Sequence, residues 1–173
     1  QLVSMNLNEG LDEYDDERLK KGLRVLSAAL ADGTPVGVIQ ENWETGFSLA
    51  FPRPLAKNEK ATVKLRLEGK DSLWTWRSHF HYPRSTTTWY PRHGYLLRSR
   101  FDLTFRHRKG YRVASVGERL REGPAEDSKE EWVTQWVMKE PVALVTFGVG
   151  QFERHTDAAE VAGQKVPIEF YSV

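Results

Sequence analysis

Residues 101–115 read Phe-Asp-Leu-Thr-Phe-Arg-His-Arg-Lys-Gly-Tyr-Arg-Val-Ala-Ser. Phe101, Leu103 and Phe105 alternate with Asp102, Thr104 and Arg106, the period of two that lays one face of a strand on a core and turns the other to water. Lys109-Gly110 offers a turn into Tyr111-Arg112-Val113-Ala114-Ser115, so the stretch predicts a β-hairpin. The same pattern recurs on both sides of it. Phe47, Leu49 and Phe51 alternate with Ser48 and Ala50 until Pro52 and Pro54 remove the backbone donors that pairing needs. Val63, Leu65 and Leu67 alternate with Lys64, Arg66 and Glu68 until Gly69. Further upstream, the segments 23–27 and 35–39 flank Asp32-Gly33, a dipeptide that tolerates the positive φ of a tight turn, and a second hairpin is predicted there.

Downstream, Arg119 to Glu131 is charged, contains Gly123-Pro124, and reads as an exposed loop before a strand over Trp132 to Met138. Val142 to Val149 is apolar on both faces, as a central strand would be, and Val166 to Tyr171 supplies a closing strand. Gly148 and Gly150 lack a phosphate-loop context and read as places of close backbone approach or a bulge. Gly10 to Lys21 fits either a short helix or a charged loop. Many short strands with turns between them, and no helical crossover, predict an all-β antiparallel sandwich, saddle-like, forming one domain over residues 1–173.

Composition bounds the function. A chain of 173 residues buries roughly two-thirds of the surface its unfolded form exposes, enough for an ordinary core. No run approaches the ~20 apolar residues of a membrane helix, and the polar opening QLVSMNLNEG is unlike a signal peptide, so no membrane segment is expected. The compartment is not readable. The absence of cysteine excludes disulfides, thiolate metal sites and a cysteine nucleophile. With 25 basic and 24 acidic side chains the net charge is +1, so no global field points to nucleic acid as a partner. Locally, Asp12, Glu13, Asp15, Asp16 and Glu17 form an acidic run. Arg84, Arg92, Arg98, Arg100, Arg106, Arg108, Lys109 and Arg112 form a basic stretch, read as strands showing arginines to water rather than as an anion groove.

No complete catalytic or metal-binding constellation is visible. A zinc hydrolase typically holds its ion with two histidines a helical turn apart and activates water with an adjoining glutamate, and none of the 5 histidines is followed by Glu. His79 and His81 lack an evident third ligand and read as surface or hydrogen-bonded histidines. A nucleophilic serine elbow of the form Gly-x-Ser-x-Gly is missing. The aromatic residues say more: Trp74, Trp76, Phe80, Tyr82, Trp89, Tyr90 and Tyr95 crowd one stretch. Trp74, Trp76 and Phe80 share strand parity, which would form a flat row able to stack on sugars or peptide side chains, unless these rings fill the core. That row defines one candidate function, a stand-alone carbohydrate- or protein-binding module. In Trp89-Tyr90-Pro91 the proline presets φ and extends Tyr90, predicting Tyr90 in the core and Trp89 near a rim.

From about Lys21 onward the order and spacing of segments resemble the N-terminal β-domain of the M1 family of zinc aminopeptidases. The resemblance runs through FSLAFPRPLAKNEKATVKLRLEGK, then TTTWYPRHGYLLRSRFDLTFRHRKGYRVASVG with its aromatic-Pro pair before a strand, then EEWVTQWVMKEPVALVTFGVGQFE, and finally GQKVPIEFYSV. Pro91 is followed by Arg92-His93-Gly94-Tyr95 where the family commonly has a Cys-x-acid tract. Tyr82 stands where a substrate-facing glutamine often lies. The resemblance implies a non-catalytic domain that packs on the catalytic domain of its own parent chain, walls one side of the cleft and helps orient a peptide substrate. Tyr82, Trp89, Tyr90, Arg92 and His93 are then the candidate substrate or interdomain surface. It also implies that zinc belongs only to the absent catalytic domain, and that this chain alone does not hydrolyse peptides.

Overall fold

In a computed structural model, residues 1–11, 21–77, 79–85, 88–94 and 97–172 are described. The acidic run at Asp12 to Glu17, most of the helix-or-loop segment, and Tyr95 lie outside them. Among the described residues the regular elements are fourteen strands, paired antiparallel throughout. The chain forms two compact units, one of Gln1–Trp74 with Pro83–Arg98 and the other of Thr75–Tyr82 with Ser99–Val173.

The first unit is built on alternation. Strands β1 (Leu2–Met5), β3 (Gly37–Ile39) and β4 (Phe47–Ala50) form a sheet in the order β1-β4-β3, while β2 (Arg24–Leu30) pairs with β5 (Val63–Glu68). Phe47 and Leu49 are buried with Leu7, Ala28, Val36 and Phe51, and Val25, Leu30, Val63, Leu65 and Leu67 pack on that cluster. Each such side chain taken fully out of water contributes about 1.5–3 kcal/mol. The Asp32-Gly33 turn forms as predicted at its tip. Gly33 has φ of +91°, Leu30 N donates to Thr34 O at 2.8 Å and Val36 N to Ala28 O at 3.0 Å. The predicted hairpin goes no further, because its arms leave for different sheets, β2 to β5 and β3 to β4. Gln40 stands in for the missing ladder: its Oε1 accepts from Val25 N at 2.9 Å and its Nε2 donates to Leu23 O at 3.1 Å. The turn is a corner of the sandwich.

The second unit takes in parts of β6 (Leu73–Trp76) and β7 (Phe80–Pro83). It also holds β8 (Ser99–Arg108), β9 (Arg112–Ser115), β10 (Glu118–Ala125), β11 (Ser128–Val142), β12 (Phe147–Gly150), β13 (Glu153–Val161) and β14 (Gln164–Ser172). Their orders are β10-β11-β8, β6-β7-β12-β9 and β13-β14. Lys109-Gly110 does turn the chain, with Tyr111 N donating to Arg108 O at 3.1 Å. Yet β8 pairs with β11 and β9 with β12, so the hairpin predicted from residues 101–115 is a second corner. Alternation had identified the buried face correctly but carries no information about the partner.

Two other expectations are corrected. Arg119 to Glu131 is a hairpin of β10 and β11 rather than a loop. Pro124 is tolerated because β10 is an edge strand, where a missing donor costs no ladder bond. Its charges are partly consumed locally, Arg119 with Glu122 and Arg121 with Glu126. The stretch 142–149 is split, β11 ending at Val142 and β12 starting at Phe147, with Val145 buried between them. The central placement holds for β12, which lies between β7 and β9. The two glycines of that strand are sites of close approach, as predicted. A Cβ on Gly148 would lie 2.8 Å from Phe80 Cε2, and one on Gly150 would lie 2.6 Å from the His79 carbonyl oxygen.

Candidate functional site

In the first unit, the segment from Thr88 to His93 is stitched onto residues 4–9. Asn6 and Arg92 exchange two backbone hydrogen bonds, at 2.7 and 3.0 Å. Asn8 N donates to Thr88 O at 3.0 Å, and Glu9 N donates to Thr88 Oγ1 at 2.7 Å. Ser85 Oγ donates to Glu9 O at 2.9 Å and accepts from Thr88 N at 3.2 Å. Asn8 adopts φ of 59°, a left-handed conformation that asparagine accepts more readily than most residues. Its side-chain amide clamps Leu23 through Nδ2 to O at 2.9 Å and from N to Oδ1 at 2.8 Å. Thr88 and Asn8 are buried polar residues whose groups are satisfied in this way. Sequence reading missed them, because isolated polar residues beside an aromatic cluster carry no periodic signal.

The candidate surface residues meet different fates. Trp89 and Tyr90 are both half-buried, their ring centroids 5.0 Å apart and edge to face. The expected division, one ring in the core and its neighbour at a rim, does not occur, since this segment is not a strand and no pleat enforces alternation. Arg92, expected at a surface, is only 7% exposed. That is a correction: the two backbone bonds to Asn6 hold the main chain of Arg92 inside the unit. His93 is exposed, with Nδ1 3.1 Å from the Ser4 carbonyl, which only accepts, so Nδ1 carries the proton. An open depression on this unit is lined by Ser4, Asn6, Glu9, Trp43 and Glu44, among others. Its exposed indole and two carboxylates, which the sequence reading did not single out, give it an acidic, cation-favouring character.

Tyr82 belongs to the second unit, where its ring lies 5.4 Å from Phe80. The proposed row of Trp74, Trp76 and Phe80 on one strand is corrected. The chain turns at Arg77, whose φ is 49°, so Phe80 lies on β7 while the tryptophans lie on β6. Trp76 meets Phe80 edge-on at 6.4 Å, and Phe80 continues to Phe152 at 5.2 Å, also edge-on. Trp76 remains 44% exposed beside an open depression that it lines with Phe80 and Tyr82. Trp74 falls in the first unit and stays exposed, with the Arg84 guanidinium, paired with Asp71 at 2.7 Å, stacked on one side of it 4.3 Å from the ring centroid.

Among the described residues no three of His, Asp and Glu are grouped so that they could hold a metal ion, and several histidines have other side-chain partners. His81 Nδ1 lies 2.9 Å from Thr75 Oγ1, His107 Nε2 lies 2.9 Å from Thr134 Oγ1 and His155 Nε2 lies 3.0 Å from Ser172 Oγ. Of the basic stretch, Arg98, Arg100, Arg106 and Arg108 are exposed along or before β8, alternating with half-buried or buried Phe101, Leu103, Phe105 and His107. Arg106 is held by Asp127 at 3.0 Å and by Glu131.

No family model matches the sequence, and no curated protein matches it either. Solved structures do. The fold is shared with an M1 zinc metallopeptidase from Deinococcus radiodurans, at a TM-score of 0.72 and 17% identity, over 97% of this chain and 38% of that one. A two-domain M1 zinc metallopeptidase mutant bound to L-arginine matches at a TM-score of 0.72 and 18% identity, over 97% of this chain and 39% of its own. Legionella pneumophila aminopeptidase A in complex with aspartic acid matches at a TM-score of 0.74 and 11% identity, over 98% of this chain and 20% of that one. The chain thus has the fold of one part of M1 peptidases and spans well under half of their length.

Proposed function

We propose that this chain is the non-catalytic N-terminal domain of an M1-type zinc aminopeptidase, packing on a catalytic domain and forming one wall of the cleft that receives a peptide. The observation that carries the reading is the disparity in coverage, nearly all of this chain against 20–39% of the peptidases that share its fold. The family-like order of its segments agrees. In this reading zinc is held elsewhere in the protein, and this chain contributes surface: His93 and the half-buried Trp89 and Tyr90 from one unit, Tyr82 from the other. The test compares the product of the complete reading frame with the 173-residue chain on an aminoacyl chromogenic amide with added zinc. Turnover is expected only from the former. Robust turnover by the chain alone, or a complete frame without a His-Glu-x-x-His zinc helix, would overturn the assignment.

The exposure of Trp76 beside its depression favours one second reading, a stand-alone module that stacks its ring on a sugar or peptide side chain. Glycan-array binding by the chain that is lost in Trp76→Ala, together with a frame lacking a peptidase domain, would select it.

A further inference from the structure

The β13-β14 hairpin has its amphipathic pattern reversed. Its register sets His155 opposite Phe170, Asp157 opposite Ile168, Ala159 opposite Val166 and Val161 opposite Gln164. Residues directly opposite in an antiparallel pair share a face, so Val161, Val166, Ile168 and Phe170 line one side of the hairpin. All four are exposed, at 57%, 43%, 42% and 55%. The other side carries Arg154, Glu169 and Tyr171, and that is the side engaged with its own unit. Glu169 meets Arg119 at 3.2 Å, Arg154 meets Glu122 at 3.6 Å, and the Tyr171 ring packs edge-on against Phe152 at 5.8 Å. A hairpin that served this chain alone would turn its apolar side inward and its charges to water. Here partly buried ion pairs tie one side of the hairpin to its unit near Arg154 and Glu169, while the apolar side chains, with Asp157 beside Ile168 and the His155 ring stacked on Phe170 at 4.6 Å, lie exposed on the other.

We infer that this stripe is the surface on which the catalytic domain of the same protein packs, an inference that rests on the reading of the chain as a peptidase domain. A contiguous apolar stripe on a charged surface marks a protein contact. The occupant is indicated by the structural neighbours, one of them a two-domain enzyme of which this fold covers 39%, leaving the rest to the other domain. The partner surface is therefore an apolar patch on a domain tethered to this one.

The experiment is residue-resolved carbene footprinting of the 173-residue chain and of the product of its complete reading frame. Ile168→Lys is made in both, and Val166→Lys serves as a second variant should the first disturb folding. The expected result is strong labelling of Ile168 and Phe170 in the short chain, a several-fold fall at both in the complete protein, and return of the Phe170 labelling in the variant. The short chain should keep its thermal midpoint, because these side chains already face water. If the complete protein has an active peptidase domain and the stripe labels as strongly as in the short chain, the inference fails while the domain assignment stands. If the frame holds no peptidase domain, both fail. If the short chain is itself a dimer that protects the stripe and Ile168→Lys dissociates it, a second copy is the occupant and the inference is overturned.

Discussion

The two units are stabilised by different means. The first closes around an aliphatic and phenylalanine cluster supplied by two sheets, with Leu7, Phe47 and Leu49 at 0%, 5% and 3% exposure. In the second, many buried or half-buried contacts are aromatic or polar: Phe105 tilts against Phe147 at 4.9 Å, His107 bonds Thr134, and Trp136 lies under the Arg119 guanidinium at 5.9 Å. Its hairpin is held by an ionic cluster in which Arg112, Arg119 and Arg154 converge on Glu122 at 3.3, 2.9 and 3.6 Å. An apolar core tolerates salt and pH and fails when volume is removed, whereas an ionic cluster tolerates loss of volume and fails when one charge is removed.

The largest effect should come from the apolar side. Phe47→Ala removes a ring from the centre of the first unit and should cost about 3–5 kcal/mol. Hydrogen exchange followed strand by strand should show protection lost first in β1 to β5. Equal loss in β8 and β11 would remove the distinction between the units. Glu122→Ala leaves three arginines facing one another without their shared carboxylate. It should cost roughly 2 kcal/mol, less than a fully buried pair because the cluster is partly hydrated. Its exchange signature should appear in β13 and β14, and a variant with unchanged hairpin protection would show that the cluster is incidental.

The smallest effect concerns acid. The Arg53 guanidinium, with the backbone N–H of Ala56, holds the Glu59 carboxyl down to about 2 from its ordinary 4.5. A carboxylate lowered on folding adds stability that is fully present above pH 4.5 and is lost as the pH falls through about 2. Because Arg53 is exposed and Glu59 only partly covered, salt should screen much of it. Thermal midpoints of the chain and of Glu59→Gln should converge as the pH drops across that window, and a constant gap would exclude the pair as its source.

What was legible in the sequence follows the same divide. In the first unit, Phe47 and Leu49 on β4, and Val63, Leu65 and Leu67 on β5, showed their inner faces through alternation, and Asp32-Gly33 marked the turn through its tolerance of positive φ. Partners were not legible, because a period of two specifies a face and says nothing about which strand lies alongside. Both predicted hairpins therefore proved to be corners between sheets. In the second unit β10 was hidden by charges that satisfy one another, and β13, with its polar sequence, gave no signal at all. The candidate surface was read from rings and strand parity. Parity failed wherever the chain left the strand: at Arg77, which separates Trp76 from Phe80, and at Trp89-Tyr90-Pro91, where no ladder exists. Gly148 and Gly150 were legible because the need for space is local, and it is met by Phe80 and the His79 carbonyl.

The stitching of residues 4–9 to Thr88 and Arg92 bears on how the chain is made. Leu2–Met5 leaves the ribosome before β4 and can pair with it soon after that strand emerges. The bonds that close Asn6, Asn8 and Glu9 must wait for Thr88 and Arg92. Between those events the ribosome delivers Thr75–Tyr82, which belong to the other unit. The first unit is therefore discontinuous in time as well as in sequence, and its nascent form carries an unsealed seam beside Leu7. Contacts of such sequence separation pay their loop-closure entropy late, and a half-sealed sandwich of this kind is the species a chaperone would meet.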